Sequence, residues 1–228
     1  MEALSANLLH NDSSAVATHL LATHPVSYRA DIVLDNAGFE VFSDMCLAHV
    51  LLTSGCCKTV VFHAKAMPWF VSDVTAADFH WTLNRMLGAD DFPHSALQML
   101  GKIWSQNLTS GVWQLKHDKF FTLPHDFTHM QRISPDLHEH LSKSRLIVFK
   151  GDLNYRKLLG DRKWPHDTPF RKAMCGFLPA SVLALRTLKS DCLAGVEQAR
   201  AEAAAQTRDD WMICNTFGVI MFEKKLGH

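Results

Sequence analysis

The chain has 228 residues, 47% of them hydrophobic, which is enough for a substantial core and excludes wholesale disorder. Lys and Arg number 23 against 23 Asp and Glu, with 14 His held neutral, and this zero balance excludes a polybasic binder of nucleic acid or membrane surfaces while leaving room for a local basic pocket. No run approaches the roughly 18 apolar residues needed to span a bilayer, and Met1-Glu2-Ala3 lacks the basic start of a signal peptide, so a cytoplasmic location (nuclear also compatible) with no membrane partner is expected.

In chain order, residues 1–24 read as helical and end in the turn signal His24-Pro25. Ile32-Val33-Leu34 is a β-branched apolar run that stops at Asp35-Asn36-Ala37-Gly38. From Phe39 the period becomes helical, with Phe39, Phe42, Cys46, His49 and Val50 on one face and Glu40 and Asp44 on another. A second strand is expected over Thr59 to His63, after which Pro68-Trp69-Phe70-Val71 runs into Ser72-Asp73. Strand, polar turn, helix, strand is the signature of a parallel βαβ unit and of an α/β fold. Helices are expected near 76–88 and 94–108, and loops around Pro124 and Pro135. A third buried strand, Leu146 to Phe149, breaks at Lys150-Gly151-Asp152 and enters a helix at Leu153-Asn154-Tyr155-Arg156-Lys157. Val182 to Leu185 is a fourth apolar run, ending in Arg186-Thr187-Leu188-Lys189. Ala199 to Ala205 reads as a surface helix, and short strands are expected near Trp211–Cys214 and Val219–Phe222. With no Gly-, Pro- or Ser-rich linker, the chain reads as one domain, 1–228.

The six cysteines include no CxxC pair, and in a chain without a secretion signal they read as reduced thiols. His125 and His129 lie four apart but have no second ligand pair nearby, and HExxH is absent. Gly55-Cys56-Cys57-Lys58-Thr59 lacks Walker spacing, no GxGxxG follows a strand, and no GxSxG elbow is present.

The polar residues cluster where apolar strands end, the place where open α/β sheets bind ligands. Four such ends deliver Asp35-Asn36, Asp73, Asp152-Asn154-Arg156 and Arg186-Lys189. The first two offer hard oxygen ligands suited to Mg²⁺ or Mn²⁺. The last two offer cations for a phosphate, Arg156 being able to bind two oxygens at once. A divalent ion facing a cationic clamp is what phosphoryl chemistry needs. Taken singly, an Asp after a strand is more often a helix cap or turn former.

Asp35-Asn36-Ala37-Gly38-Phe39-Glu40, Pro68-Trp69-Phe70-Val71-Ser72-Asp73, the stretch Phe149 to Leu158 and Arg186-Thr187-Leu188-Lys189 together resemble the metal-dependent damage-control phosphatase family. The resemblance is to the subgroup marked by Arg-Thr-x-Lys, also described as acidic-residue (protein-glutamate) methyltransferases, and it runs from about residue 5 to the C-terminus. It implies a three-layer α/β/α sandwich with a mostly parallel, Rossmann-like sheet. It implies Asp35, Asn36 and Asp73 as catalytic metal ligands that also meet substrate, and Asp152, Leu153, Asn154, Tyr155, Arg156 and Lys189 as further substrate-binding residues. The implied activity is hydrolysis of small sugar phosphates such as fructose 1-phosphate and fructose 6-phosphate, stimulated by Mn²⁺, Co²⁺, Ni²⁺ or Mg²⁺. Either water or Asp35 itself serves as nucleophile. Glu40 is the position assigned to S-adenosylmethionine in the alternative, a carboxyl O-methyltransferase acting on protein glutamates; otherwise it is a favourable acidic residue near a helix N-terminus. Members of the subgroup carry a long helical N-terminal region, of which residues 1–24 resemble the end. A truncated, inactive isoform is therefore the third reading.

Overall fold

The computed structural model describes residues 6–22, 28–88 and 95–226. It opens with a strand where a helix is expected: β1 is Leu8–Asn11, and helix α1 covers only Ser13–Leu21. Long-range pairing overrides local helix propensity here. The Asp12 amide donates to the Ile220 carbonyl at 3.0 Å, and the Asp12 carboxylate accepts from the Phe222 amide at 2.8 Å. The expected turn at His24-Pro25 lies outside the described residues.

The chain then builds β2 (Arg29–Val33), α2 (Phe39–Thr53), β3 (Thr59–Lys65), α3 (Ala76–Leu87), α4 (Ser95–Thr109) and β4 (Trp113–Asp118). These elements belong to one compact unit, Pro25–Leu123, inserted in sequence between the two parts of a second unit, Met1–His24 with Pro124–His228. In the inserted unit the strand order is β2-β3-β4 and every pairing is parallel, with Ile32 opposite Phe62 and Phe62 opposite Leu115. Residues 30–33 of β2 and 60–65 of β3 are buried throughout, which is why neither alternates between apolar and exposed polar residues, Asp31, His63 and Lys65 being buried along with their apolar neighbours. Strand β4 has no such run. Its sequence, WQLKHD, is mostly polar because it lies at the outer end of this strand order. Packing centres on aromatic rings: Phe62 lies 5.0 Å from Phe79 and 5.1 Å from Trp113, which lies 5.4 Å from Trp104.

Helix α2 forms where expected but buries a different stripe. Val41, Asp44, Met45, Ala48 and Leu51 are its buried residues, whereas Phe39 is 82% exposed and Val50 57%. Phe42 and His49 instead turn sideways onto Trp104, at 5.8 and 6.3 Å. The 15-residue helix is apolar on more than one side, so its period fits two stripes, and Asp44 is carried into the interior with the winning one.

The split unit adds α5 (Met130–Ile133), α6 (Pro135–Ser142), β5 (Leu146–Lys150), α7 (Gly151–Leu158), α8 (Phe170–Ala173), β6 (Ser181–Thr187), α9 (Gln198–Thr207) and β7 (Gly218–Glu223). Its strand order is β1-β7-β6-β5, with β6 and β7 antiparallel and the other pairs parallel. Pro135, expected in a loop, opens α6, the one helical position where its missing N–H costs nothing. The strand expected near Trp211–Cys214 is a run of turns closed by local bonds, Trp211 N–H to Arg208 and Ile213 N–H to Asp210, and Asn215 takes a left-handed φ of 60°. Phe127, Phe149 and Phe177 form the aromatic centre, with ring separations of 4.9, 5.4 and 6.0 Å. Seven mostly parallel strands flanked by helices make the chain the α/β protein that the strand–turn–helix–strand pattern predicts. Among the described residues no helix is long and apolar enough to cross a membrane.

Candidate metal and phosphate sites

Within the inserted unit, backbone pairing alone gathers three of the expected ligands. The ladder outlasts the strands by one step, Leu34 N–H to His63 carbonyl at 3.1 Å. The returning segment 72–75 then docks beside it: Val74 N–H donates to the Asp35 carbonyl and Lys65 N–H to the Val74 carbonyl, both at 2.9 Å. Isolated bridges pair Asn36 with Asp73 and Lys65 with Thr75. Asp35 and Asp73 end up 6% and 2% exposed, two buried carboxylates on adjoining segments.

Neither is a helix cap. Residue Gly38, at φ 71°, is the N-cap of α2 and makes no side-chain capping bond, and α3 is capped by Thr75 in a capping box with Asp78. The reading of Asp35 and Asp73 as helix caps is thereby removed. Asp73 does order its own turn, since its Oδ2 accepts from the amides of Trp69 at 2.9 Å and Phe70 at 3.0 Å. The Asn36 carboxamide is held from both ends. Its Nδ2 donates to Asp35 Oδ2 and to Glu40 Oε2, each at 2.7 Å, while its Oδ1 accepts from Ser72 Oγ at 2.7 Å. Glu40, the residue the methyltransferase reading assigns to S-adenosylmethionine, thus sits one helical turn on with a carboxylate oxygen on the Asn36 amide.

Lys65 is not among the site residues that the sequence motifs predict. Its side chain is 1% exposed, and burial pushes its ammonium below the ordinary lysine value, while the negative charges of Asp73 and Asp35 pull it back up. A second buried charge group lies lower on the same strands: Arg29 Nε donates to Asp31 Oδ2 and His63 Nε2 meets Asp31 Oδ1, both at 2.7 Å. Asp31 and His63 bring a carboxylate and an imidazole within reach of one ion. The signal available for all three was a charged or polar residue inside an otherwise apolar strand, as in Ala30-Asp31-Ile32 and Phe62-His63-Ala64-Lys65.

The phosphate-side candidates lie in the split unit. Gly151, at φ 81°, turns β5 into α7, whose N-cap Lys150 makes no side-chain capping bond. Asp152 Oδ1 accepts from Arg186 Nε at 2.8 Å and from the Lys189 amide and Ser190 Oγ at 3.2 Å each. Leu153, Asn154 and Tyr155 have buried side chains, 8%, 0% and 1% exposed. Asn154 Nδ2 donates to the Lys150 carbonyl at 2.7 Å. The Tyr155 hydroxyl donates to the Ala194 carbonyl at 3.0 Å and accepts from the Ala194 amide at 3.2 Å, and burial holds it protonated far above the usual phenol range. Arg156 forms a two-pronged pair with Asp161, both contacts at 2.7 Å. Lys189 is exposed. Arg186, which the strand-end pattern groups with Lys189 as a phosphate cation, is instead buried at 4% exposure and bonded internally.

A family model for the damage-control phosphatase ARMT1-like domain matches residues 1–204. The chain is 43% identical over 226 residues to the damage-control phosphatase ARMT1 of Xenopus laevis, covering 96% of this chain and 51% of that protein. Against the same protein of Danio rerio the identity is 42% over 221 residues, covering 94% and 49%. Against that of Homo sapiens it is 39% over 198 residues, covering 87% and 44%. The chain therefore spans about half the length of the curated relatives it matches. With the Asp-Asn pair, the later Asp, the GDLNYRKL helix and the RTLK strand end all falling within the matched residues, the chain belongs to the damage-control phosphatase ARMT1-like domain family.

Proposed function

We propose that the chain hydrolyses small phosphate esters, sugar phosphates such as fructose 1-phosphate and fructose 6-phosphate above all, with a divalent ion held by Asp35, Asn36 and Asp73. The observation that carries this reading is the pair of buried carboxylates, Asp35 and Asp73, on adjoining segments bridged through Asn36, neither of them consumed in capping a helix. Hard oxygen donors fit Mn²⁺ or Mg²⁺, and Co²⁺ and Ni²⁺ tolerate the same set. When bound, such an ion supplies Lewis acidity at phosphate and makes water more acidic.

The chain's own residues do the rest. Two N–H donors fix Asp73 Oδ2, which orients the carboxylate so that Oδ1 serves as ligand. Ser72 and Glu40 fix the plane of the Asn36 amide. Lys65 places a positive charge close to Asp35 and Asp73, which offsets their mutual repulsion before substrate arrives. Asp35 orients the attacking group or is itself the nucleophile. On the split unit, Lys189 offers a mobile ammonium for phosphate oxygens, and Arg156 keeps guanidinium N–H groups beyond those given to Asp161.

The test is phosphate release from a panel of sugar phosphates with Mn²⁺, Co²⁺ and Ni²⁺, comparing the parent with Asp35→Ala. Release should fall by about 100-fold or more in the variant, with cooperative melting retained. Equal release in both proteins overturns the assignment. Methyl transfer to protein glutamates, measured with a labelled donor, marks the alternative; absence of both activities in folded protein marks a non-catalytic chain.

A further inference from the structure

We propose that Arg186 is a positioning residue, which acts through Asp152 to hold the Lys189 loop against the first turn of α7. The inference rests on the phosphate reading of Lys189 given above.

All three guanidinium nitrogens of Arg186 are engaged inside the split unit. Nε donates to Asp152 Oδ1 at 2.8 Å, and one terminal nitrogen reaches the same oxygen at 2.7 Å and also the Ser190 carbonyl at 3.0 Å and hydroxyl at 2.9 Å. The other donates to the Cys192 carbonyl. The guanidinium plane lies over the Tyr155 ring, 4.3 Å from its centroid, and the Tyr155 hydroxyl closes the far end of the loop through both backbone groups of Ala194. With a side chain of 0% exposure and its charge matched by Asp152, Arg186 is not presented to an anion. What these bonds do is fix residues 189–194, a segment without helix or strand, at Lys189, Ser190, Cys192 and Ala194 in succession.

Lysine carries a point charge on a flexible stem, so its usefulness to a ligand depends on where its backbone is held. The Lys189 amide is tied to Asp152 at 3.2 Å while its side chain stays in solvent. Ordering the loop in the free protein removes an entropic cost that phosphate binding would otherwise carry. Only a planar fork can reach a carboxylate, a hydroxyl and two carbonyls at once, which explains arginine rather than lysine at this place.

The test compares Arg186→Lys, Asp152→Asn, Lys189→Ala and the Arg186→Lys/Lys189→Ala double variant in the full chain. The readouts are inorganic phosphate binding by calorimetry, amide hydrogen exchange over 188–194 and thermal melting. Arg186→Lys should weaken phosphate binding about 10-fold and speed exchange over 188–194 while the melt stays cooperative. Lys189→Ala should weaken binding by a similar factor and leave exchange unchanged, and the double variant should bind no more weakly than Lys189→Ala. Should Arg186→Lys not fold, Asp152→Asn gives the same readouts with the fork intact. Binding lost in Lys189→Ala but binding and exchange kept in both Arg186→Lys and Asp152→Asn overturns the positioning role alone. An additive double variant overturns it too, because Arg186 then acts independently of Lys189. Phosphate binding unchanged in Lys189→Ala overturns the phosphate reading and the positioning role with it.

Discussion

Asn36 is the residue whose behaviour most depends on its neighbours. An amide that can rotate presents oxygen or nitrogen with nearly equal ease, and only the oxygen is a metal ligand. Ser72 donates to that oxygen and Glu40 accepts from the nitrogen, so each fixes the same orientation from opposite ends. Glu40→Gln, whose amide can donate to or accept from the Asn36 amide, relaxes the choice. Mn²⁺ affinity, read by titration without substrate, should weaken about 10-fold in Glu40→Gln; unchanged affinity would show that Asn36 is held without it. Just past α7, Asp161 carries a different kind of pair. The Arg156 hydrogen bond holds its carboxyl below the ordinary value of 3.8, so the bond contributes stability at pH above that value and loses it as pH falls through the lower, folded-state one. With Asp161 53% exposed, the contribution is about 0.2–1 kcal/mol. Asp161→Asn, chosen because Asn also tolerates the φ of 53° found there, should be that much less stable in urea melts at pH 7, with the gap to the parent closing as pH falls below 3.8 and through the lower, folded-state value.

At the scale of elements, local chemistry and tertiary packing can be told apart. Helix α3 carries its own start signal, the Thr75 hydroxyl accepting from the Asp78 amide and the Asp78 carboxylate accepting from the Thr75 amide. Thr75→Ala should cost about 1 kcal/mol in a denaturant melt. Strand β7 depends instead on a close approach: a Cβ on Gly218 would lie 2.9 Å from the Arg186 carbonyl oxygen, a backbone atom that cannot step aside without distorting β6. Gly218→Ala should lose about 1–3 kcal/mol, and an unchanged melting temperature would mean that the two strands move apart easily. The elements legible in the sequence were those with such local marks or with a continuous apolar stretch, Val60 to Phe62 in β3 and Leu146 to Phe149 in β5 among them. Strand β1 and strand β4 were not, because Leu8–Asn11 and WQLKHD acquire their conformation from partners distant in sequence. The buried stripe of α2 was likewise chosen by what packs on it, and periodicity admits Phe39 as readily as Val41.

For the whole molecule, a net charge of zero hides a partition by burial. Asp35, Lys65, Asp152 and Arg186 lie at or next to strand ends and Asp73 on the segment bridged to Asn36, and the candidate carboxylates were legible because several polar clusters recur after apolar runs, not because any one aspartate stands out. The division of labour between Arg186 and Lys189 was not, since two cations three residues apart look alike until burial separates them. The same partition governs the six cysteines, which report on it throughout the chain. Cys175 is exposed, Cys46 and Cys214 are half-buried, and Cys56, Cys57 and Cys192 are buried. Burial raises the Cys46 thiol, and burial, with the charges of Asp161 and Asp152 adding to it and those of Arg186 and Arg156 opposing, pushes Cys192 up to about 11. At Cys214 a burial penalty is outweighed by hydrogen bonding with Thr216 and by Arg208, leaving the thiol below its usual value. Alkylation needs both access and thiolate. Peptide mapping of the native protein after timed alkylation at neutral pH should therefore find label first on Cys175, then on Cys214 ahead of Cys46, and on Cys56, Cys57 and Cys192 only when denaturant is added. Early label on Cys192 would mean that the loop tied by Arg186 opens in the native state, and it would contradict the packing of the split unit on which the positioning role depends.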